Sequence, residues 1–265
     1  MLRKDTRVSD SQSETPGGHA PPGRAAARDP ARGPSAPRPS PTHVTLAVVL
    51  QVRAGLLCVL LWERARPPFS AAWSLPGGYI EPGHALDDSI RAQLARKVDL
   101  AELSWLEQLQ TVGEPNRHPD EWQLATAYLG LVPLGLDPEL PPDTSWHPVD
   151  SLPPRMAFDH GPIVLDGRER LRAKLSYTNI GFALAPESFS ISELSSIYSA
   201  ALGYPVDPTN LRRVLERRGL LEATGERRSP GPGGGRPAAV YRFRSRSLAV
   251  TDPFAVLRPP AGRAV

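Results

Sequence analysis

The stretch Trp73-Ser74-Leu75-Pro76-Gly77-Gly78-Tyr79-Ile80-Glu81-Pro82-Gly83, with the residues that follow it to Leu100, decides how the first half of the chain folds. Two adjacent glycines after Leu75-Pro76 mark a change of backbone direction, and Pro82-Gly83 marks another. Beyond them Leu86, Ile90, Leu94 and Val98 recur every fourth position. That is the spacing of one buried helix face, and it predicts a helix from about Asp87 to Lys97. Positions i, i+3 and i+4 of a helix share a face, so Gln93, Arg96 and Lys97 project together. Upstream, Val44-Thr45-Leu46-Ala47-Val48-Val49-Leu50 and Leu56-Leu57-Cys58-Val59-Leu60-Leu61 flank the turn Arg53-Ala54-Gly55. These β-branched and apolar runs predict two adjacent buried strands. Downstream, Trp105–Val112 and Leu124–Val132 have strand character, and Pro133 to Pro154 reads as a proline-rich connection. Asp166–Leu175 predicts a basic helix linking two domains.

The run from Leu75 to Gly83 closely resembles the start of a Nudix box, G-x5-E-x7-R-E-U-x-E-E-x-G-U, where U is aliphatic. Set from Gly78, the aliphatic positions fall on Leu94 and Leu100 and match. The glutamates fall on His84, Gln93, Arg96 and Lys97, the arginine on Ala92 and the glycine on Asp99. In Nudix hydrolases the helix glutamates chelate magnesium. A hard cation needs several carboxylate oxygens, whereas this face offers one amide and two positive charges. Glu81 remains as a single carboxylate. The resemblance thus implies the scaffold without the metal that activates water: no catalytic residue, no metal and no cofactor are expected. A pocket shaped for a nucleoside diphosphate would hold the pyrophosphate on Arg96 and Lys97, with Arg64, Arg91, Gly78 and Glu81 around it. The plain alternative is a set of solvated surface charges. His84 and His160 are isolated in sequence, with no H-E-x-x-H pair and no G-x-S-x-G elbow, so they read as structural.

Composition bounds the rest. At roughly 100–200 residues per domain, 265 residues make one large domain or two small ones. The 31 prolines and 22 glycines exceed the needs of one compact unit, so part of the chain reads as tail or linker. Cys58 is the only cysteine, which excludes a disulfide framework and a cysteine zinc site. No run of about 18 apolar residues exists to span a membrane, and no apolar segment follows the charged N-terminus as a secretory signal would. A cytoplasmic protein is expected. The net charge of +3 divides unevenly: residues 43–206 are net −7, whereas residues 207–246 hold 10 arginines against 4 acids. Arginine suits phosphate and guanine contacts, so this asymmetry points to nucleic acid, with a solvated charged face as the alternative.

The C-terminal third carries its own punctuation. Ser190-Ile191-Ser192-Glu193 fits a capping box ahead of the apolar face Ile191, Leu194, Ile197 and Tyr198, and Gly203 ends that helix. Asp207-Pro208 opens the next, which runs Thr209–Arg218, buries Leu211, Val214 and Leu215, and stops at Gly219. Leu220-Leu221 follows, then a Gly-, Pro- and Arg-rich loop from Thr224 to Pro237 and a strand Ala238–Phe243. Two helices, a strand, a basic loop and a returning strand make a winged helix-turn-helix pattern. Thr209, Asn210, Arg212, Arg213 and Arg217 on the second helix are the candidates for reading base edges, and Arg227, Arg228 and Arg236 on the wing for meeting phosphates.

Together the two halves resemble the Nudix-related transcriptional regulators of NAD metabolism over about residues 43–246. Trp73-Ser74-Leu75-Pro76-Gly77-Gly78, Ala157-Phe158-Asp159-His160 and Arg170–Thr178 carry the likeness. So do Leu202-Gly203, Asp207–Arg213, Gly219-Leu220-Leu221 and Gly235–Phe243. Where that family often has an Arg-Asp-Pro-Arg-like motif, this chain has Arg117-His118-Pro119-Asp120-Glu121-Trp122. The resemblance implies an α+β chain, a Nudix-type α/β/α sandwich followed by a winged helix-turn-helix domain. Residues 1–42 are expected as a disordered tail, 43–154 as the degenerate Nudix effector-sensing domain, 155–247 as the DNA-binding domain and 248–265 as a weakly ordered tail. It also implies a homodimeric repressor that binds a double-stranded DNA operator and releases it when a nucleotide-type effector such as ADP-ribose binds. Two other readings stay open. One is an active Nudix hydrolase with displaced metal ligands at Glu81, Glu102 or Glu107. The other is a regulator of sugar metabolism with a different effector.

Overall fold

The computed structural model describes residues 40–100, 102–229 and 237–252. The tail expected over 1–42 lies outside them as far as residue 39. Strands β1 (Thr42–Arg53) and β2 (Leu56–Glu63) form an antiparallel hairpin that closes at the pair Arg53 and Leu56. Ala54 and Gly55 fill its two-residue turn with positive φ at both positions, which matches the strand twist. Short strands β3 (Trp73–Ser74) and β4 (Gly77–Tyr79) add to β2 and β1, and helix α1 follows at Leu86–Val98. Asp99 ends α1 in the left-handed conformation at φ 52°, which explains why the Nudix pattern has glycine there. Strands β5 (Trp105–Val112) and β6 (Gln123–Leu131) complete the expected set, with β6 parallel to β1.

The proline-rich connection after β6 holds one further strand, β7 (Thr144–Pro148), antiparallel to β2. The sheet path runs β3-β2-β1-β6-β5, with β4 on β1 and β7 on β2. Side chains alternate across β1. Ala47 and Val49 pack with Ile90, Leu94 and Val98 of α1. Leu46, Val48 and Leu50 pack on the other face with helix α2 (His160–Tyr177) through Ile163, Val164, Leu171 and Leu175. The result is an α/β/α sandwich. Helix α2 comes close enough to β1 that a Cβ on Gly167 would lie 2.7 Å from Val48 Cγ1. It is longer than the expected Asp166–Leu175 segment because Gly161 and Pro162 sit in its first turn, where proline removes no hydrogen bond.

Strand β8 (Phe189–Ser190) leads directly into α3 (Ile191–Leu202), whose capping box is formed: Ser190 Oγ accepts from Glu193 N, and Glu193 Oε2 accepts from Ser190 N. Helix α4 (Pro208–Arg217) starts at the Asp207 cap. Strands β9 (Leu221–Arg228) and β10 (Ala238–Phe243) pair with each other, and β8 pairs with β10. The loop expected from Thr224 is therefore strand as far as Arg228, since Arg227 and Arg228 pair with Ala239 and Ala238 of β10 beyond a register shift. Leu194, Ile197, Leu211, Leu215, Tyr241 and Phe243 join the same apolar core as α2 and the sheet, so packing shows no break at residue 154. The tail expected from 248 begins as ordered chain: Ala249 N donates to Asn179 Oδ1 and Thr251 N to Tyr177 O.

Candidate functional site

The first half holds a cavity of about 710 Å³ between the Gly77–Pro82 segment, the start of the β2–β3 loop, α1 and the residues around the start of α2. Gly77 makes its floor: a Cβ there would stand 2.0 Å from Thr45 O, so only glycine lets this segment lie on β1. Five of the six residues expected to meet an effector line the cavity: Arg64, Gly78, Glu81, Arg96 and Lys97. Arg91 does not. It is exposed on α1, and two residues from Gln93 is roughly 200° around a helix.

The α1 face is held in detail. Gln93 Nε2 donates to Tyr79 O at 3.2 Å, and Arg96 Nη1 donates to Glu81 Oε1 at 2.9 Å. Lys97 Nζ donates to Gly77 O at 2.5 Å and lies 5.2 Å from the Trp62 ring centroid. Burial, with Arg96 and Arg64 nearby, holds the Lys97 ammonium below its ordinary pKa. Arg64 donates through Nε to Pro68 O at 2.9 Å and lies 4.9 Å from the Phe158 ring centroid; burial lowers its pKa as well. This is a cationic, partly dehydrated pocket. It does not fit magnesium: Glu81 is the one lining carboxylate, and Arg96 already holds it. Among the described residues no three His, Cys, Asp or Glu side chains gather as a metal site. Neither Glu102 nor Glu107 lines the cavity, and Glu107 is paired with Lys174 at 2.8 Å.

Four residues not expected to meet an effector also belong to the cavity. His118, Gln123, Phe158 and His160 line the cavity. Phe158 adopts φ 50°, a strained setting for a bulky residue, and its ring contacts Phe69, His118 and His160. His160 Nδ1 accepts from Leu75 N at 3.0 Å, with Ser74 Oγ at 3.1 Å. The ring is thereby neutral with its proton on Nε2, and burial pushes its pKa down to about 3. The buried Arg117 reaches both Asp159 and Gln123. The pointers in sequence are the Ala157–His160 motif and the Arg117–Trp122 stretch, and neither says that Arg117 meets Asp159.

In the C-terminal half α4 buries Leu211 and Leu215 and exposes Thr209, Asn210, Arg212, Arg213 and Arg217 on its outer side. Val214, expected as buried, is half-buried. Arg212 Nε donates to Glu216 Oε1 at 2.8 Å, its guanidinium 5.4 Å from the Tyr241 ring centroid, and Arg213 Nη2 donates to Asn210 Oδ1 at 2.9 Å. Arg227 and Arg228 close β9 and are exposed. Arg236 lies outside the described residues.

The family model of the NrtR DNA-binding winged helix domain matches residues 181–243, and that of the NUDIX domain matches residues 41–166. The ADPR responsive transcriptional repressor NtrR of Acinetobacter baylyi is 28% identical over 211 residues, covering 77% of this chain and 83% of its own. The crystal structure of Shewanella oneidensis NrtR superposes with a TM-score of 0.65 at 31% identity, over 77% of this chain and 94% of that one. Shewanella oneidensis NrtR complexed with a 27mer DNA matches with a TM-score of 0.64 at 31% identity, over 76% and 93%.

Proposed function

The chain belongs to the NrtR family, and we propose that it is a transcriptional repressor of NAD-related genes whose Nudix half senses an effector and hydrolyses nothing. The observation that carries this reading is the α1 face. Gln93, Arg96 and Lys97 stand where a Nudix hydrolase has metal-binding glutamates, and they line a cavity with Arg64. Such a pocket binds phosphates as counter-ions and cannot assemble a metal-activated water. A relative named for its response to ADPR supports ADP-ribose as the effector.

In this reading the pyrophosphate takes Arg96, Lys97 and Arg64, and it competes with Glu81 for Arg96. The operator lies against α4, whose Thr209, Asn210, Arg213 and Arg217 face the major groove, and against the wing. The repressor acts as a homodimer on paired half-sites. Helix α2 starts at the cavity with His160 and packs on α3, so one helix touches both halves.

The decisive experiment is genome-wide footprinting of the bound DNA, followed by titration of ADP-ribose into the purified complex on the recovered duplex. Release of DNA with ADP-ribose intact in the presence of magnesium is the expected result. Turnover of ADP-ribose at the rate of an ordinary Nudix enzyme would overturn the inactive reading. Release by a sugar and not by ADP-ribose would reassign the effector.

A further inference from the structure

Arg228 ends β9 at the base of the wing, opposite Ala238 at the start of β10. Its guanidinium is already occupied. Nη1 lies 2.5 Å from Glu193 Oε1 and 2.6 Å from Glu193 Oε2, and Nη2 donates to Ser188 O at 3.4 Å. Glu193 is the residue that closes the capping box of α3, its Oε2 also accepting from Ser190 N at 2.7 Å. One carboxylate thus joins the start of α3 to the base of the wing.

A guanidinium paired in this way is neutralised where a phosphate would have to approach, and the carboxylate beside it repels that phosphate. The neighbouring Arg227 is placed differently. Successive strand residues face opposite sides, and Arg227 makes no side-chain hydrogen bond or ion pair among the described residues. The two adjacent arginines therefore have separate tasks, although their sequence context is the same.

We propose that Arg228 is a positioning residue, which sets the wing against α3 through Glu193, and that Arg227 is the arginine of the wing base that meets the DNA backbone. The proposal rests on the DNA-binding reading above. Pairing of two partly exposed groups contributes little to folding stability; its value lies in fixing the end of β9 against α3 before DNA arrives.

Salt dependence separates the two roles, because a residue that neutralises a phosphate releases a counter-ion and a positioning residue does not. The probe is the duplex footprinted by the wild-type chain, with affinity measured across a salt series. Arg227→Gln should make the slope of log affinity against log salt shallower by about 0.9, the value of one phosphate contact. Arg228→Gln should weaken binding roughly two- to tenfold with the slope unchanged, the scale of losing one preorganised side chain. Glu193→Gln keeps an acceptor for Ser190 N and should reproduce the Arg228→Gln loss, and the double variant should lose no more than either alone. A shallower slope for Arg228→Gln, no loss of affinity for it, or tighter binding by Glu193→Gln would each overturn the proposal. A wild-type chain that binds no DNA at all overturns the DNA-binding reading itself, and the assignment falls with it.

Discussion

Arg117 and Asp159 form a two-pronged ion pair, Nε to Oδ2 at 3.1 Å and Nη2 to Oδ1 at 2.8 Å, that ties the β5–β6 connection to the residue just before α2. Arg117 is buried, its side chain 2% exposed against 29% for Asp159, and its remaining donor Nη1 reaches Gln123 Oε1 at 2.7 Å. The Arg117 guanidinium lies 6.0 Å from the Phe158 ring centroid, so the pair stands behind one wall of the cavity.

Removing one partner of such a pair strands the other. Asp159→Asn leaves the buried guanidinium without its counter-charge and should cost about 3 kcal/mol. For a chain of this size that is a fall of about 6–12 °C in Tm. Arg117→Met with Asp159→Asn should recover part of the loss, since neither charge is then uncompensated. Thermal unfolding of the two variants checks both statements, and a single variant as stable as the wild type would show that the pair is not closed in solution.

His160 makes stability depend on pH. Its native pKa, about 3, lies below the ordinary value of about 6.5 that it regains on unfolding. The unfolded chain therefore takes up a proton first as pH falls, and the contribution of the neutral ring is present above about 6.5 and lost below it. Between about pH 7.5 and 5.5 the wild type should lose about 1.4 kcal/mol more than His160→Asn, whose side-chain oxygen can still accept from Leu75 N. Urea unfolding at the two pH values measures the difference. His147, whose pKa burial also lowers, is present in both proteins and cancels.

What the chain's one-dimensional pattern reveals is the regular part of this structure. Continuous β-branched and apolar runs are enough to find β1, β2, β5 and β6, period-four apolar spacing finds α1, and the caps at Ser190 and Asp207 locate α3 and α4 because capping is a local hydrogen bond. Strand β7 is hidden among prolines, since a short strand is held by its ladder to β2 and not by its own propensity. The end of β9 is hidden for the same reason, with Gly225 and charged residues reading as loop. The pairing of Arg117 is hidden because its partner Asp159 is 42 residues away. The cationic face of α1 was legible because a helix converts sequence spacing directly into shared direction, whereas the wall built by His118, Gln123, Phe158 and His160 depends on three separate segments meeting.

On the proposed function, ligand binding in the cavity should answer to charge. Arg96→Glu and Lys97→Glu each remove a hydrogen-bonding cation and add a repulsive carboxylate, and each should weaken ADP-ribose by at least about tenfold, the scale of one charged hydrogen bond. Glu81→Gln frees Arg96 from its 2.9 Å partner and takes a negative charge out of the cavity, so it should bind ADP-ribose more tightly. Titration calorimetry reads all three. Unchanged affinity in the two reversals would mean that these cations do not meet the ligand.

Base reading by α4 should show as selectivity. Arg213 is exposed on the outer side of α4, and Asn210 one turn earlier accepts its Nη2 and so fixes its direction. In the proposed DNA-binding reading a guanidinium held that way is presented to a base edge, where a good bidentate contact to guanine gives about 1–3 kcal/mol of discrimination. Arg213→Ala should therefore weaken the footprinted duplex about 5- to 150-fold and leave binding to a scrambled duplex of the same length nearly unchanged. Competition of the two duplexes for one protein sample measures the ratio directly. An equal loss on both would make Arg213 a phosphate contact, and the salt slope would then fall by about 0.9 as well.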